Sequence, residues 1–383
     1  MRTAIKLSTC LLWLTLAGAS LPAQTAPPSA SIRIDLRDEK APVSPTLYGI
    51  FMEEISHAFD GGIYAELIRN RSFEEGVLPP GMKLVTNPNG SLRMELESLP
   101  AGVPTNKWDM PWPWNGNCGW DTNRALLGWS LLSEDEAKGE MKLTEANPMN
   151  AASSRSLAMT IAPPEKPEGR VALVNSGYWG INVQAGTLYE LKFHLRPETF
   201  AGQLTATLET KDGKVLARHA FGKIEPSAAW KRFTATLKAE GTDPKARFVL
   251  SFRGQGALQV DWVSLFPPTY KNRLNGLRLD LAKLLEEYKP SFVRYPGGCY
   301  VEGLSWESAP DWRTMVCPPE ERPGQWGYWQ YRSTDGFGYH EFLEFCEDIG
   351  ADATARAFPM RAWNSCPRSS PPPVTTGRTS AWF

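Results

Sequence analysis

Alternation with a period of two dominates the middle of the chain. Tyr189, Leu191, Phe193 and Leu195 alternate with Glu190, Lys192 and His194, and Leu204, Ala206 and Leu208 alternate with Thr205, Thr207 and Glu209. Phe233, Ala235 and Leu237 repeat the pattern, as do Phe248, Leu250 and Phe252. This spacing puts apolar side chains on one face of a strand and polar ones on the other. Asp212-Gly213 supplies a hairpin turn, and Gly254-Gln255-Gly256 reads as another, after which Val260 and Trp262 continue the alternation. Several strands with turn signals between about Met141 and Phe266 predict an antiparallel β-sandwich with a self-contained core.

The flanks have a different texture. Ser31–Leu36 alternates and predicts a short strand, and Leu47–Glu53 is an apolar run that predicts a buried parallel strand. Ile63, Leu67 and Ile68 share one helical face, with Arg69 and Arg71 in its last turn. Leu78 to Trp129 reads as a Trp-rich loop. After Pro267-Pro268, Leu277, Leu281, Leu284, Leu285 and Tyr288 predict an amphipathic helix over Asn275–Tyr288, ended by Pro290. Ser291–Arg294 predicts a strand running into Pro296-Gly297-Gly298. A second helix is expected over Gly338–Ile349, with Phe342, Leu343, Phe345, Cys346 and Ile349 inward and Gly350 as its cap. The fold class expected is therefore α/β plus all-β: the beginning of a (β/α) alternation with an antiparallel sandwich inserted.

Composition narrows the function. The chain has 383 residues, with 41 Lys+Arg against 42 Asp+Glu, 15 Trp, and Gly and Pro at 32 each. At roughly 100–200 residues per domain this allows two or three domains. The balanced charge carries no basic excess of the kind that binds nucleic acid. Many tryptophans among turn residues suit a surface that grips sugars. Arg2 and Lys6 followed by the apolar run Leu7–Ala19 predict a signal peptide over residues 1–23, hence a secreted or periplasmic protein with no membrane anchor after cleavage. Cys118, Cys299, Cys317, Cys346 and Cys366 then remain, in spacings that predict neither a disulfide framework nor a metal site. No phosphate-binding or dinucleotide fingerprint is visible, so no cofactor is expected.

Residues 24–44 read as a linker and strand, 45–77 as a first βα unit, 78–268 as the Trp-rich loop and insert, and 269–352 as further βα units. Residues 353–383 break the pattern. They contain no Asp, Glu, Leu or Ile, where a (β/α) protein needs an aliphatic strand. One reading is a natural disordered tail. The other, which the interruption of an unfinished fold favours, is loss of the native frame near Asp352.

Candidate chemistry sits where predicted parallel strands end. Glu53 closes the first strand, and its carboxylate can accept hydrogen bonds from sugar hydroxyls. Pro296-Gly297-Gly298 is a tight turn without side-chain bulk, and Arg294 is a cation able to hold acidic groups in place. A helix-entry Glu53 and a salt-bridged Arg294 are the purely structural alternatives. The segments GIFMEEISHAFDGGIYAELIRNRSFEE (49–75), FVRYPGGCYVEG (292–303), EERPG (320–324) and STDGFGYHEFLEFCEDIG (333–350) resemble α-L-arabinofuranosidases of glycoside hydrolase family 51, in the branch with an inserted carbohydrate-binding-type sandwich. The resemblance implies a (β/α)8 TIM-type barrel, here incomplete, with a jelly-roll insert like a carbohydrate-binding module. It implies retaining removal of terminal arabinofuranose from an arabinose-containing plant polysaccharide or oligosaccharide.

It also implies substrate-binding roles for Glu53, Arg294, Gly297, Gly298, Cys299 and Trp312, with Cys299 where many members have Asn. Retaining cleavage needs two carboxyl groups roughly 5–5.5 Å apart. The resemblance puts both on later strands, beyond about Ala351, so no catalytic residue is assignable and this truncated chain is expected to be inactive. Glu53 and Glu54 should diverge across a strand and cannot substitute. The rival expectation is a secreted carbohydrate-binding protein that uses Trp112, Trp114, Trp120 and Trp179 as platforms, tryptophans that could equally be packing residues.

Overall fold

In the computed structural model the described residues are 31–34, 42–97, 119–303 and 309–355. They fall in two units, Met1–Ser44 and Pro45–Phe383. In the first, residues 31–34 form no strand, and Ile32 and Ile34 are exposed, against the alternation expected there. The signal-peptide stretch, Trp112, Trp114 and residues 356–383 lie outside the described residues.

The second unit opens with β1 (Gly49–Phe51). The helix expected at Ile63–Arg71 does not form. Phe59–Ile63 is a single distorted turn, after which Ala65 and Leu67 donate their N–H groups to Gly276 O and Leu265 O. Tyr64, Ala65, Glu66, Ile68 and Arg71 are all buried and Leu67 and Arg69 half-buried, so this segment has no fully exposed face. Extended backbone with partners on both sides satisfies it better than a helix.

The Trp-rich stretch is not all loop. β2 (Met82–Thr86) and β3 (Leu92–Leu96) form a hairpin joined by β4 (Gly119–Trp120).

Antiparallel strands follow: β5 (Trp129–Glu134), β6 (Gly139–Thr144), β7 (Ser156–Ile161), β8 (Arg170–Asn175), β9 (Ile181–Val183), β10 (Leu188–Arg196), β11 (Ala201–Glu209), β12 (Val215–Ile224), β13 (Lys231–Lys238) and β14 (Asp243–Phe266). β14 is continuous through Gly254-Gln255-Gly256, which is a bend rather than a turn. Its first half pairs with β8 and β11, and its second half with β7 and β10. At the bend a Cβ on Gly254 would lie 2.2 Å from Ala201 O, so only glycine lets the two strands cross this closely. Val171, Leu173, Leu204, Leu208, Phe248 and Phe252 from one arm meet Leu157, Leu191, Phe193, Leu237, Val260 and Leu265 from the other in one core. Ile68 and Phe73 complete that core from outside the strands, so it is not self-contained as the alternation suggested.

The expected alternation also breaks within β14. Leu258 and Val260 face the core, then Val263 and Leu265 do. The parity changes at Trp262, whose φ of 45° marks a bulge, matched by a register shift against β10. Trp262 is thereby turned out of the core.

After β14, α1 (Leu279–Tyr288) is shorter than predicted, because Leu277 is drawn into a bridge with Tyr64. Leu281 and Leu285 pack inward, while Leu284 and Tyr288 are exposed. β15 (Phe292–Tyr295) leads into a single helical turn, α2 (Cys299–Glu302). The short hairpin of β16 (Gln325–Trp326) and β17 (Arg332–Ser333) precedes α3 (Tyr339–Ile349), which carries Phe342, Phe345 and Cys346 buried, as expected. β18 (Asp352–Ala355) follows at once.

β1, β15 and β18 form a parallel sheet in the order β1-β15-β18, with Ile50 beside Val293 and Val293 beside Ala353. A strand thus stands where the sequence was read as lacking one, in its first residues Asp352-Ala353-Thr354-Ala355. Its small residues carry no aliphatic signal, and the ladder to β15 supplies what propensity does not. Among the described residues β1 pairs on one side only, with Gly49 and Ile50 half-buried and Phe51 exposed.

Candidate functional site at the ends of the parallel strands

The strand ends of β1 and β15 lie side by side, because Gly49–Phe51 pairs in register with Phe292–Arg294 and Met52 N–H continues to Arg294 O at 2.8 Å. Side chains that follow each strand therefore meet. Glu53 Oε1 accepts from Tyr300 N–H at 2.9 Å and Gly298 N–H at 3.3 Å. Its other oxygen, Oε2, has no protein donor among the described residues. Gly297 has φ +111°, and a Cβ there would lie 2.3 Å from Glu53 Cγ. The bare turn is thus what admits the glutamate.

Cys299 sits half-buried at the start of α2, and burial, with Glu53 nearby, pushes its thiol up. Among the described residues Arg294 forms no ion pair with an acidic group. Its guanidinium lies 4.6 Å over the Phe51 ring and reaches Gly297 O at 3.5 Å. Trp312 is 41% exposed, on the loop that leads into the turn Thr314–Val316.

Glu54 turns the opposite way. It is buried, and its Oε2 accepts from Phe59 N–H and Asp60 N–H, both at 3.1 Å. The Tyr331 hydroxyl donates to its Oε1 at 2.6 Å and accepts from His57 N–H at 2.8 Å. The His57 ring stacks on Tyr331 at 4.0 Å, and burial holds its pKa low. Burial, with the negative charge of Asp60 adding, pushes Glu54 up to about 8, against three hydrogen bonds that favour its ionised form. Glu53 and Glu54 therefore diverge as expected, although both lie just beyond the end of β1, in the loop that follows it.

A second buried group holds the loop beneath. Arg322 makes a two-pronged pair with Glu341 at 2.8 and 2.9 Å, and Glu341 also accepts from Gly338 N–H and Asn275 Nδ2. Asn275 accepts from the Tyr64 hydroxyl, Arg71 Nη1 donates to that hydroxyl at 2.9 Å, and Arg71 pairs with Glu66 at 3.4 Å. Glu66 in turn accepts from Ser264 and from Leu265 N–H at the end of β14. This chain of buried polar groups fastens the antiparallel strands to the loop that follows β1.

Sequence reasoning found Glu53, Gly297 and Gly298, which the fold brings together. It named Glu54 only as diverging from Glu53, and missed Tyr331 and the Asp60 carboxylate, which accepts from Thr334 N–H and its hydroxyl. These partners are far apart in sequence: Glu54 and Asp60 lie in the quoted motif at 49–75, and Tyr331 lies in none of the quoted segments. Among the tryptophans, Trp120 packs on Trp326 at 5.2 Å beneath Arg124, a packing residue. Trp179 is 56% exposed and stands edge-on to His57 at 5.6 Å, so the antiparallel strands put it beside the loop that carries Glu53 and Glu54. Cys317 is disulfide-bonded, a bridge the spacing did not predict. Among the described residues no cluster could hold a metal, and no helix is long and apolar enough to cross a membrane.

The family described as "Alpha-L-arabinofuranosidase 1 domain" matches residues 284–359. Alpha-L-arabinofuranosidase 1 of Arabidopsis thaliana is 33% identical over 85% of this chain and 42% of its own length. An extracellular exo-alpha-L-arabinofuranosidase of Streptomyces chartreusis is 30% identical over 84% of this chain and 33% of its own. The arabinose-bound structure of the MgGH51 α-L-arabinofuranosidase superposes with a TM-score of 0.64 at 30% identity, covering 81% of this chain and 43% of that one. The chain thus spans less than half the length of the relatives it matches. In sequence and in the arrangement of its strands, the chain is similar to part of the α-L-arabinofuranosidases of glycoside hydrolase family 51.

Proposed function

We propose that the strand ends around Glu53 bind the terminal arabinofuranose of an arabinose-containing plant polysaccharide or oligosaccharide, as the sugar-recognition half of a retaining α-L-arabinofuranosidase. In this reading β1, β15 and β18 are the opening arc of a (β/α)8 barrel, and β5–β14 are an inserted jelly-roll sandwich. The observation that carries it is the state of Glu53. One oxygen is pinned by two backbone N–H groups, and the other has no protein donor among the described residues. A carboxylate so held is pre-oriented to accept from a sugar hydroxyl without further loss of side-chain entropy. Cys299, Gly298 and Trp312 border the same recognition surface in this reading, and Arg294 supports the turn rather than the ligand.

Retaining hydrolysis needs, besides a sugar-binding Glu53, two carboxyl groups flanking the bond, one nucleophile and one acid/base. Glu54 points away and is consumed by Tyr331, Phe59 and Asp60. The chain on its own is therefore proposed to bind and not to turn over. The signal-like start and the Cys317 disulfide fit an exported protein, since such bonds persist in oxidising compartments.

The test is calorimetric titration of the chain with arabinofuranosyl oligosaccharides, paired with release of nitrophenol from 4-nitrophenyl α-L-arabinofuranoside. Binding lost in Glu53→Ala, with no release in either protein, is the expected result. Release by the parent chain that vanishes in Glu53→Ala would show a complete site and refute the division of labour.

A second reading has one observation behind it. The exposed Trp179 gives the antiparallel strands a stacking face of their own, as a non-catalytic carbohydrate-binding protein would need. Titration that fails with Trp179→Ala and survives Glu53→Ala would favour it.

A further inference from the structure

A cavity lies apart from the strand ends, where three segments converge: Asn70–Glu75 after β1, the insert at Ser153 and Trp262, and the loop from Pro319 to Thr334. Most polar side chains on its wall are already engaged. Glu74 accepts from Ser154 and Arg155 N–H, Ser153 Oγ donates to Asp261, and Thr334 Oγ1 donates to Asp60. Arg322 spends its guanidinium on Glu341 and on the carbonyls of Cys317, Asp335 and Gly336.

Three buried atoms are left over: Arg71 Nη2, Trp262 Nε1 and Glu75 Oε2. Their residues are 2%, 6% and 7% exposed. Arg71 uses Nη1 for Tyr64 and Glu66, so Nη2 is its spare donor. The bulge at φ 45° turns Trp262 out of the insert's core and places its ring 5.3 Å from the Arg71 guanidinium. A polar atom so deeply buried without a partner is costly, so the concentration of three of them on residues that line one cavity points to a guest.

The wall selects what that guest is. Arg71, Arg322 and Arg332 face Glu74, Glu75 and Glu320, so neither an anion nor a cation finds a surplus of opposite charge. Two spare donors and one spare acceptor call for a neutral molecule that accepts twice and donates once. The cavity leaves about 20 Å³ for the centre of a water-sized guest, more than the ~10–15 Å³ one water requires. A sugar ring does not fit in that space.

We propose that this cavity is a structural water site in which bound water bridges Arg71 Nη2, Trp262 Nε1 and Glu75 Oε2, fastening the insert to the two loops that flank the strand ends. It stands beside the chain of buried groups from Glu66 to Arg322 and completes it on the side where direct protein contacts run out. Burial pushes Glu75 up to about 7, against the pull of Arg332, Arg69 and Arg124, and water serves it in both states, as a donor to the carboxylate or an acceptor from the acid.

The experiment is a high-resolution crystal structure of the full chain, with ¹⁵N-indole NMR in solution. The expected result is a density peak within ~2.7–3.2 Å of both Arg71 Nη2 and Trp262 Nε1, with cross-relaxation between water and an indole N–H that disappears in Trp262→Phe. Glu75→Gln should keep the peak and Glu75→Leu should lose it, with a lower melting point for Glu75→Leu. A dry cavity, a direct protein partner for Trp262 Nε1, or an anomalous-scattering halide at the peak would each overturn the proposal. Should Glu75→Leu fail to fold, the peak and the Trp262 indole signal in the parent chain and in Trp262→Phe decide alone.

Discussion

Replacing Gly297 by Ala tests the coupling between the turn and Glu53. Two costs follow from the geometry. The backbone at φ +111° is strained for any residue with a Cβ, by about 1–3 kcal/mol. The new methyl would also lie 2.3 Å from Glu53 Cγ and 2.6 Å from both its Cβ and Cδ, so the glutamate must leave. Leaving breaks its bonds to Gly298 N–H and Tyr300 N–H, worth ~1.5–3 kcal/mol each at full strength but less for a half-buried group that water can reach. The total is roughly 3–5 kcal/mol, which at about 2 °C per kcal/mol for a large domain lowers the melting temperature by roughly 6–10 °C. The assay is thermal melting of Gly297→Ala, Glu53→Ala and the double variant. Because Glu53→Ala removes Cγ and Cδ, the double variant should lose at least about 1 kcal/mol less than the sum of the singles. Strict additivity, or a Gly297→Ala protein that melts within a degree of the parent, would refute the contact.

Other expectations concern buried groups. The Glu54 carboxyl is raised to about 8 in the fold from an ordinary 4.5, so the native state holds its proton more tightly than the unfolded chain. Its contribution is fully present below about 4.5 and is lost as pH rises through 8; melting temperatures across pH 5–8 should fall less steeply in Glu54→Gln than in the parent. Arg322→Ala strands Glu341 without its two-pronged partner and should cost about 3–5 kcal/mol by urea unfolding, whereas Arg278→Ala, at an exposed pair, should cost under about 1 kcal/mol. Phe73→Ala should destabilise the antiparallel strands by about 3–5 kcal/mol although Phe73 lies outside them; an isolated fragment from Met110 to Pro268 should accordingly melt less cooperatively than the same strands in the full chain.

The antiparallel strands were readable because one face of each is buried and the period-two pattern records that directly. α3 was readable for the same reason, through Phe342, Phe345 and Cys346. Failures came where tertiary partners outvoted local preference. Tyr64–Arg71 has helical spacing but is mostly buried, with only Leu67 and Arg69 part-exposed, and its backbone bonds go to Gly276 and Leu265. Asp352–Ala355 has no aliphatic residue, yet β15 offers a ladder that small residues can join. The bulge at Trp262 leaves no mark in an alternation that runs smoothly through it. At the site, Glu53 and the Pro-Gly-Gly turn were legible because glycines advertise close approach. The environment of Glu54 was not, since Tyr331 arrives from a remote loop and no spacing rule links them.

The shared strand β14 has a consequence for how the chain is made. Every arm of the antiparallel assembly pairs with it, yet it is the last of these strands to be synthesised. At ~5–20 residues per second, on the order of ten seconds separate the emergence of β5 from that of β14. Until then β7, β8, β10 and β11 each present an unpaired edge, the condition that invites strand exchange between nascent chains. A ribosome that stalls before residue 266 would release a polypeptide with two half-sheets and nothing to join them, so faithful production of this protein depends on translation speed and chaperone cover over one 24-residue strand.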